Sequence, residues 1–429
     1  MSRCERMSGF GNEHSSEAVP GAIPEGRFSP QKPPLGLYAE KFSATAFTAP
    51  RADNRRTWFY RILPSVTHGA YTSCGRGHWT TLPADFRPAP NQLRWDPLTI
   101  PDDAGDFVEG MFTLAGCGDL ASQTGMAAHV YLARRSMERR FFHDADGELL
   151  ILPQQGRLCL HTECGPLEVA PGEMALIPRG IKFRVELLDG QARGYVCENF
   201  GAAFRLPERG PVGSDGFANA RDFSVPRATF DMRQGDFELL VKFGGQMFSA
   251  HMDHSPLDVV GWLGTCYPVK YPLTRFNTMN TVSYDHPDPS IFTVLTAPSD
   301  TPGVANADFV IFPPRWMVAD DTFRPPWFHR NVMSEFMGLI EGQYDARGRG
   351  FEPGGASLHP SMSAHGPEVG AHAAASAAAL EPRKLEHGLA FMFESRYALA
   401  PTAQALALPA LQTDYLACWR GFQREFSGA

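Results

Sequence analysis

The chain has 429 residues, 43% of them hydrophobic, and a formal net charge of -8. That is more material than one compact domain of typical size uses, so two or three packed units are expected. No dense Lys/Arg run is present, which argues against a nucleic-acid partner, and 11% aromatic with 20% charged residues exclude a disordered chain.

Glycine (41) and proline (36) are frequent enough to predict many turns and few long helices, hence a mainly β fold. The N-terminal segment has no apolar core of the signal-peptide kind, and no stretch approaches the roughly 18 apolar residues that span a bilayer. The eight cysteines form no C-x-x-C pair and no zinc-finger spacing with histidine. They read as free buried thiols in a reducing compartment, so a cytoplasmic protein with no membrane partner is expected.

Residues 1–50 alternate Pro, Gly and short aromatic segments and read as an extended arm. From 57 to about 200, apolar segments recur between turn residues: 56–63, 110–116, 126–133, 147–155, 157–163, 172–178 and 182–188. Such spacing predicts a sandwich or barrel. Segments 234–241 and 252–264 fit strand or helix. Further strands are expected at 280–285, 290–298, 307–314, 331–342 and 388–400. A loop rich in Gly, Pro, Ser and His covers 348–370, an Ala-rich and partly helical run covers 371–386, and Leu416, Trp419 and Phe422 predict a C-terminal helix starting near Asp414. The predicted architecture is two β-sandwich, cupin-like (jelly-roll) units with a few helices. Residues 1–275 form the first, with the arm, and 276–429 the second.

Residues 171–183 resemble the second metal motif of the cupins: Gly172, Pro178 and Gly180 hold their places, but Phe183 stands where a histidine is usual. The first unit is therefore expected to be scaffold. The segment 324–342 resembles the first cupin motif, with His329, Glu335 and Gly342 in place and Asn331 where a second histidine is usual. A straight strand would hold His329 and Glu335 about 20 Å apart, so sharing a metal requires the chain to bend. A carboxylate inside an apolar strand needs a partner, and a metal is the simplest one for Glu335. His359, after the Pro353–Gly355 turn, and His365 both remain open as the third ligand. Two histidines and one carboxylate form the facial triad of non-haem iron(II) enzymes, which leaves three cis positions free. On residues alone, His286 reads as a turn histidine between Asp285 and Pro287, and Tyr344 as an ordinary strand residue. His14, His68, His78, His129, His143, His161, His251, His254, His372 and His387 show no ligand spacing.

Segments 9–18, 50–65, 284–298, 307–344 and 350–368 closely resemble the homogentisate 1,2-dioxygenase family, and the similarity extends over nearly the whole chain. The resemblance implies that His329, Glu335 and His365 bind Fe(2+), with His359 behind them or on the substrate side. It implies that His286 accepts a proton and that Tyr344 and His365 contact the substrate. Arg330 and Asn331, beside a ligand, are weaker expectations for contact with the substrate carboxylate or a hydroxyl. Trp327-Phe328 departs from the Tyr more usual before the first ligand. The implied reaction cleaves the homogentisate ring with O2 to 4-maleylacetoacetate, in tyrosine and phenylalanine breakdown, by a homohexamer of two stacked trimers. A cupin enzyme acting on another substrate, or a binding protein with a vestigial site, are the rival readings.

Overall fold

Frequent Gly and Pro keep the apolar runs short, and short alternating runs satisfy their backbone groups by pairing across a sheet. The computed structural model describes residues 4–75, 77–81, 86–279, 283–344 and 350–428. The seven early segments all form strands, and the two ambiguous ones are strands as well: Gln234–Phe243, then Gln246–His254 and Val259–Gly264. The result is a mainly β, cupin-like sandwich fold. Among the described residues no helix is long and apolar enough to cross a membrane.

A nine-stranded sheet runs from Arg6–Ser8 at one edge, through Glu148–Gln155 and Ala192–Asn199, to Ala400–Pro401 at the other. A seven-stranded sheet contains Leu158–Thr162, Phe183–Leu187 and Gln234–Phe243. Both contribute to one apolar core, in which Phe183, in place of the cupin histidine, packs on Phe107 and Phe142. A six-stranded sheet carries Thr293–Pro298, Ala305–Phe312, Gly388–Ser395, Ser334–Gly342, Ala356–His359 and Leu93–Trp95, in that order. Its Phe309, Phe336 and Phe391 belong to the same core. Gly338 allows the close approach here: a Cβ at that position would run into the Phe391 ring and meet Tyr195 Cε1 at 3.0 Å.

Four expectations change. The extended N-terminal arm carries strands: Arg6–Ser8, His14–Glu17 and Tyr38–Phe42 pair with strands of the same chain, which satisfies their backbone groups. Of the strand expected at 280–285, residues 280–282 lie outside the described residues and 283–285 are irregular. The loop 348–370, whose residues 348 and 349 lie outside the described set, contains the strand Ala356–His359, held by pairing to Ser334–Gly342. The C-terminal helix is one 3-10 turn, Tyr415–Trp419; Asp414 makes no side-chain cap, and Tyr415 and Trp419 are engaged by His359 and the Gly366 carbonyl. The Ala-rich run is helical over Val369–Ala377.

Candidate metal centre and its cavity

Antiparallel register builds the floor of the site. Glu335 stands opposite Glu394 on one side and His359 on the other, and Glu394 stands opposite Asp308. Opposed residues share a face, so these four point the same way. Met392, Met337 and Ser357 form the next row on that face. Both rows line a cavity of about 400 Å3, which His286, Arg324, Arg330 and Tyr344 also border.

The bend that the sequence requires lies at Asn331. Its side-chain oxygen accepts from Met333 N at 3.1 Å, and its carbonyl accepts from Met362 N at 2.7 Å. Asn331 Nδ2 donates to Glu335 Oε1 at 3.0 Å. The turn carries His329 back over the strand, so that its Nε2 lies 3.8 Å from Glu335 Oε1. His365 Nε2 lies 2.9 Å from Glu335 Oε2. One donor atom from each of His329, Glu335 and His365 falls within 4.8 Å of the others. His359 stacks on His365 at 4.0 Å; its Nδ1 is 3.6 Å from Glu335 and its Nε2 is 3.0 Å from the Tyr415 hydroxyl.

The donor chemistry fits a divalent metal. His329 Nδ1 and His365 Nδ1 each face a backbone carbonyl, of Trp327 at 2.8 Å and of Ser363 at 3.0 Å. With Nδ1–H donating there, each Nε2 presents a lone pair towards Glu335, the arrangement of metal-ligating imidazoles. Burial works against a charge on Glu335, but the imidazoles of His329, His359 and His365 around it outweigh that and hold the carboxyl far below its ordinary range. The neighbouring Glu335 carboxylate raises His329. Burial, with Glu335, Asp308 and Asp288 nearby, pushes Glu394 up to about 8.

Among the other expected residues, His286 borders the cavity; its Nε2 lies 2.8 Å from the Phe323 carbonyl and its ring is 6.1 Å from that of Trp327. Tyr344 packs edge-on against Phe312 and Phe351. Arg330 is exposed on the rim shared with a second cleft, lined by Phe328, Ala364, Trp419 and Phe422.

Sequence reading missed Glu394, Asp308 and Tyr415. Glu394 carried the same signal as Glu335, a carboxylate inside an apolar strand. Tyr415 gave none, because its contact with His359 depends on the fold of the tail. A second acidic group, Asp144, Asp146 and Glu198, is also close enough to hold a cation. It already contains one: the Lys242 ammonium lies 2.8 Å from Asp146 and 2.5 Å from Glu198.

Two family models match the chain, homogentisate 1,2-dioxygenase N-terminal over residues 5–273 and homogentisate 1,2-dioxygenase C-terminal over 274–426. Among solved structures, Bacillus subtilis oxalate decarboxylase is similar at 13% identity, covering 76% of this chain and 84% of its own, with a TM-score of 0.30. A protein of unknown function from Pseudomonas syringae pv. tomato shows 10% identity over 72% of this chain and 100% of its own, with a TM-score of 0.32. A cupin-2 domain protein from Shewanella frigidimarina shows 15% identity over 17% of this chain and 70% of its own, with a TM-score of 0.16. These structural likenesses are too weak to bear on activity.

Proposed function

The chain belongs to the homogentisate 1,2-dioxygenase family, and from that premise we propose that His329, Glu335 and His365 hold its iron and that His286, Tyr344 and Arg330 handle the substrate. The protein is an Fe(II)-dependent dioxygenase that cleaves homogentisate with O2, in tyrosine and phenylalanine breakdown. The observation that carries the site assignment is the convergence of His329 Nε2 and His365 Nε2 on one buried carboxylate, Glu335.

Bound ferrous iron supplies Lewis-acid polarisation and an electron path between an electron-rich ring and dioxygen, which otherwise react slowly because of spin. The protein's part is binding, orientation and proton handling. Met337, Met392, Phe292, Phe312 and Phe351 give the cavity apolar walls that take an aromatic ring. His286 donates Nε2–H to the Phe323 carbonyl, which leaves Nδ1 of the neutral ring as a base for a substrate hydroxyl proton. Tyr344, just beyond the Ser334–Gly342 strand, offers a hydroxyl donor that fixes ring orientation. The Arg330 guanidinium at the rim suits the carboxymethyl anion, and Asn331 restrains the Glu335 carboxylate. Both oxygen atoms end in 4-maleylacetoacetate.

Residues 1–275 form the scaffold half in this reading and 276–429 the catalytic half. Apolar side chains left exposed on the segments that flank the site, Phe328 at 48%, Val332 at 69% and Met362 at 56%, support a hexamer of stacked trimers that covers them. Sedimentation of the purified chain tests that assembly. Eight free cysteines support a cytoplasmic location.

Anaerobic reconstitution with Fe(2+), followed by ultraviolet detection of the maleyl product, tests the assignment. Glu335→Gln is expected to fold, bind little iron and turn over no homogentisate. Native iron content and rate in that variant would overturn it.

A further inference from the structure

The iron site leaves one group of metal-seeking side chains unused. Strand Leu158–Thr162 pairs with Phe183–Leu187, with Cys159 opposite Glu186 and His161 opposite Arg184. Leu158, Leu160, Phe183 and Val185 point into the apolar core. Strand alternation therefore sends Cys159, His161, Arg184 and Glu186 to the other face. There, one donor atom each of Cys159, His161 and Glu186 lies within 4.8 Å of the others. His161 Nε2 is 2.7 Å from Glu186 Oε2. A fourth donor arrives from the N-terminal arm: the Cys4 thiol is in hydrogen-bond contact with that of Cys159, just ahead of the edge strand Arg6–Ser8.

We propose that Cys4, Cys159, His161 and Glu186 form a second metal site, for a thiolate-seeking divalent cation of the zinc class, which clips the N-terminal arm to the first sandwich. Two sulfurs, an imidazole and a carboxylate suit a tetrahedral structural site, in which bonds of about 2.0–2.3 Å put neighbouring donors about 3.3–3.8 Å apart. The three strand donors lie within 4.8 Å of one another, and Cys4 reaches them from just ahead of the edge strand Arg6–Ser8. Two thiolates and a carboxylate round a dication leave one negative charge. The Arg184 guanidinium on the same face offsets it. Glu168 stands opposite Cys159 on the next strand. The carboxylates of Glu186 and Glu168, each opposite Cys159 on a flanking strand, give a negative field that draws a dication. Two neighbouring cations have carboxylate partners of their own, Lys270 with Glu173 at 2.9 Å and Arg233 with Asp231 at 2.7 Å. None of the four proposed ligands borders the iron cavity.

Cobalt titration of the iron-loaded full chain under reductant tests the proposal, because Co(2+) bound by thiolate gives a near-ultraviolet charge-transfer band and the His329–Glu335–His365 set has no sulfur to give one. The band is expected to saturate at one equivalent in the native chain and to fall by at least half in either Cys4→Ser or Cys159→Ser. Cys4 lies in the arm, so Cys4→Ser is readable even if Cys159→Ser fails to fold. Absence of the band in the native chain, or a band undiminished in Cys4→Ser, overturns the proposal.

Discussion

His329 and His365 pair backbone to backbone in both directions, N–H to carbonyl at 2.9 and 3.0 Å, as an isolated bridge with no strand on either side. Two bonds therefore set the distance between the two imidazoles, whose rings sit 4.1 Å apart. Gly366 makes the bridge possible, since a Cβ there would meet Phe328 Cδ1 at 2.5 Å and Phe328 Cα at 2.9 Å. Gly366→Ala should push the two segments apart and lower iron affinity by roughly 10–100-fold, the scale for disturbing a ligand's support. Iron titration of the apoprotein measures this, and native affinity would show that the bridge does not set the ligand geometry.

The contact between Tyr415 and His359 carries a second expectation. His359 lies between the Tyr415 hydroxyl and Glu335, and stacks on His365. Arg94 sits over the Tyr415 ring at 4.0 Å, which holds it in place. Tyr415→Phe keeps the ring and removes the hydroxyl, so the fold should persist while iron affinity falls by about tenfold. A variant that changes melting temperature but not iron affinity would make Tyr415 purely structural.

Much of this site was legible in the sequence, for identifiable reasons. Glu335 stood out because a carboxylate among Phe336, Met337 and Ile340 needs a partner, and the strand around it followed from its apolar run. The separation of His329 and Glu335 even required the bend now seen at Asn331. Spacing left His359 and His365 both open as the third ligand, because which backbone pairs with His329 depends on the fold. The tail was misread because Leu416, Trp419 and Phe422 imitate a helix face, whereas tertiary contacts of Tyr415 and Trp419 end the helix after one turn. The Asp144–Glu198–Lys242 group was invisible, since it joins three strands distant in sequence.

That group gives a stability prediction with a pH sign. Lys242 is almost fully buried between Asp146 and Glu198, and Glu198 also accepts from Trp79 Nε1 at 2.9 Å. Burial disfavours the Glu198 charge, but Lys242 and His129 outweigh it and hold the carboxyl below its ordinary range. Its contribution is therefore present above the unfolded glutamate value, about 4.3, and is lost as pH falls towards the depressed folded value. Asp144, raised by burial and by Glu198, acts in the opposite direction. Lys242→Met leaves buried carboxylates without their cation and should cost roughly 3–5 kcal/mol at neutral pH. Urea unfolding across pH should show the native chain weakening below about pH 4 and the variant with a flatter acid limb. Equal stability of the two at pH 7 would refute this account.

The nine-stranded and six-stranded sheets meet at Tyr195, whose hydroxyl donates to the Gly355 carbonyl at 2.7 Å, immediately before the strand that carries His359. Its ring lies edge-on to Phe391 at 4.8 Å, in the space that Gly338 leaves open. Two substitutions separate hydrogen bonding from packing at this seam. Tyr195→Phe removes one buried hydrogen bond and leaves the Gly355 carbonyl with the Leu339 N–H alone, at 3.3 Å, at a cost of about 0.5–1.5 kcal/mol. Gly338→Ala drives a methyl group into the Phe391 ring and should cost about 1–3 kcal/mol by overpacking. Because the added methyl group also meets the Tyr195 ring, with Cε1 at 3.0 Å, the double variant should cost less than the sum of the singles, as expected for neighbours in contact. Chemical unfolding of the three variants measures the coupling, and strict additivity would mean that the hydroxyl and the ring contact do not form one unit.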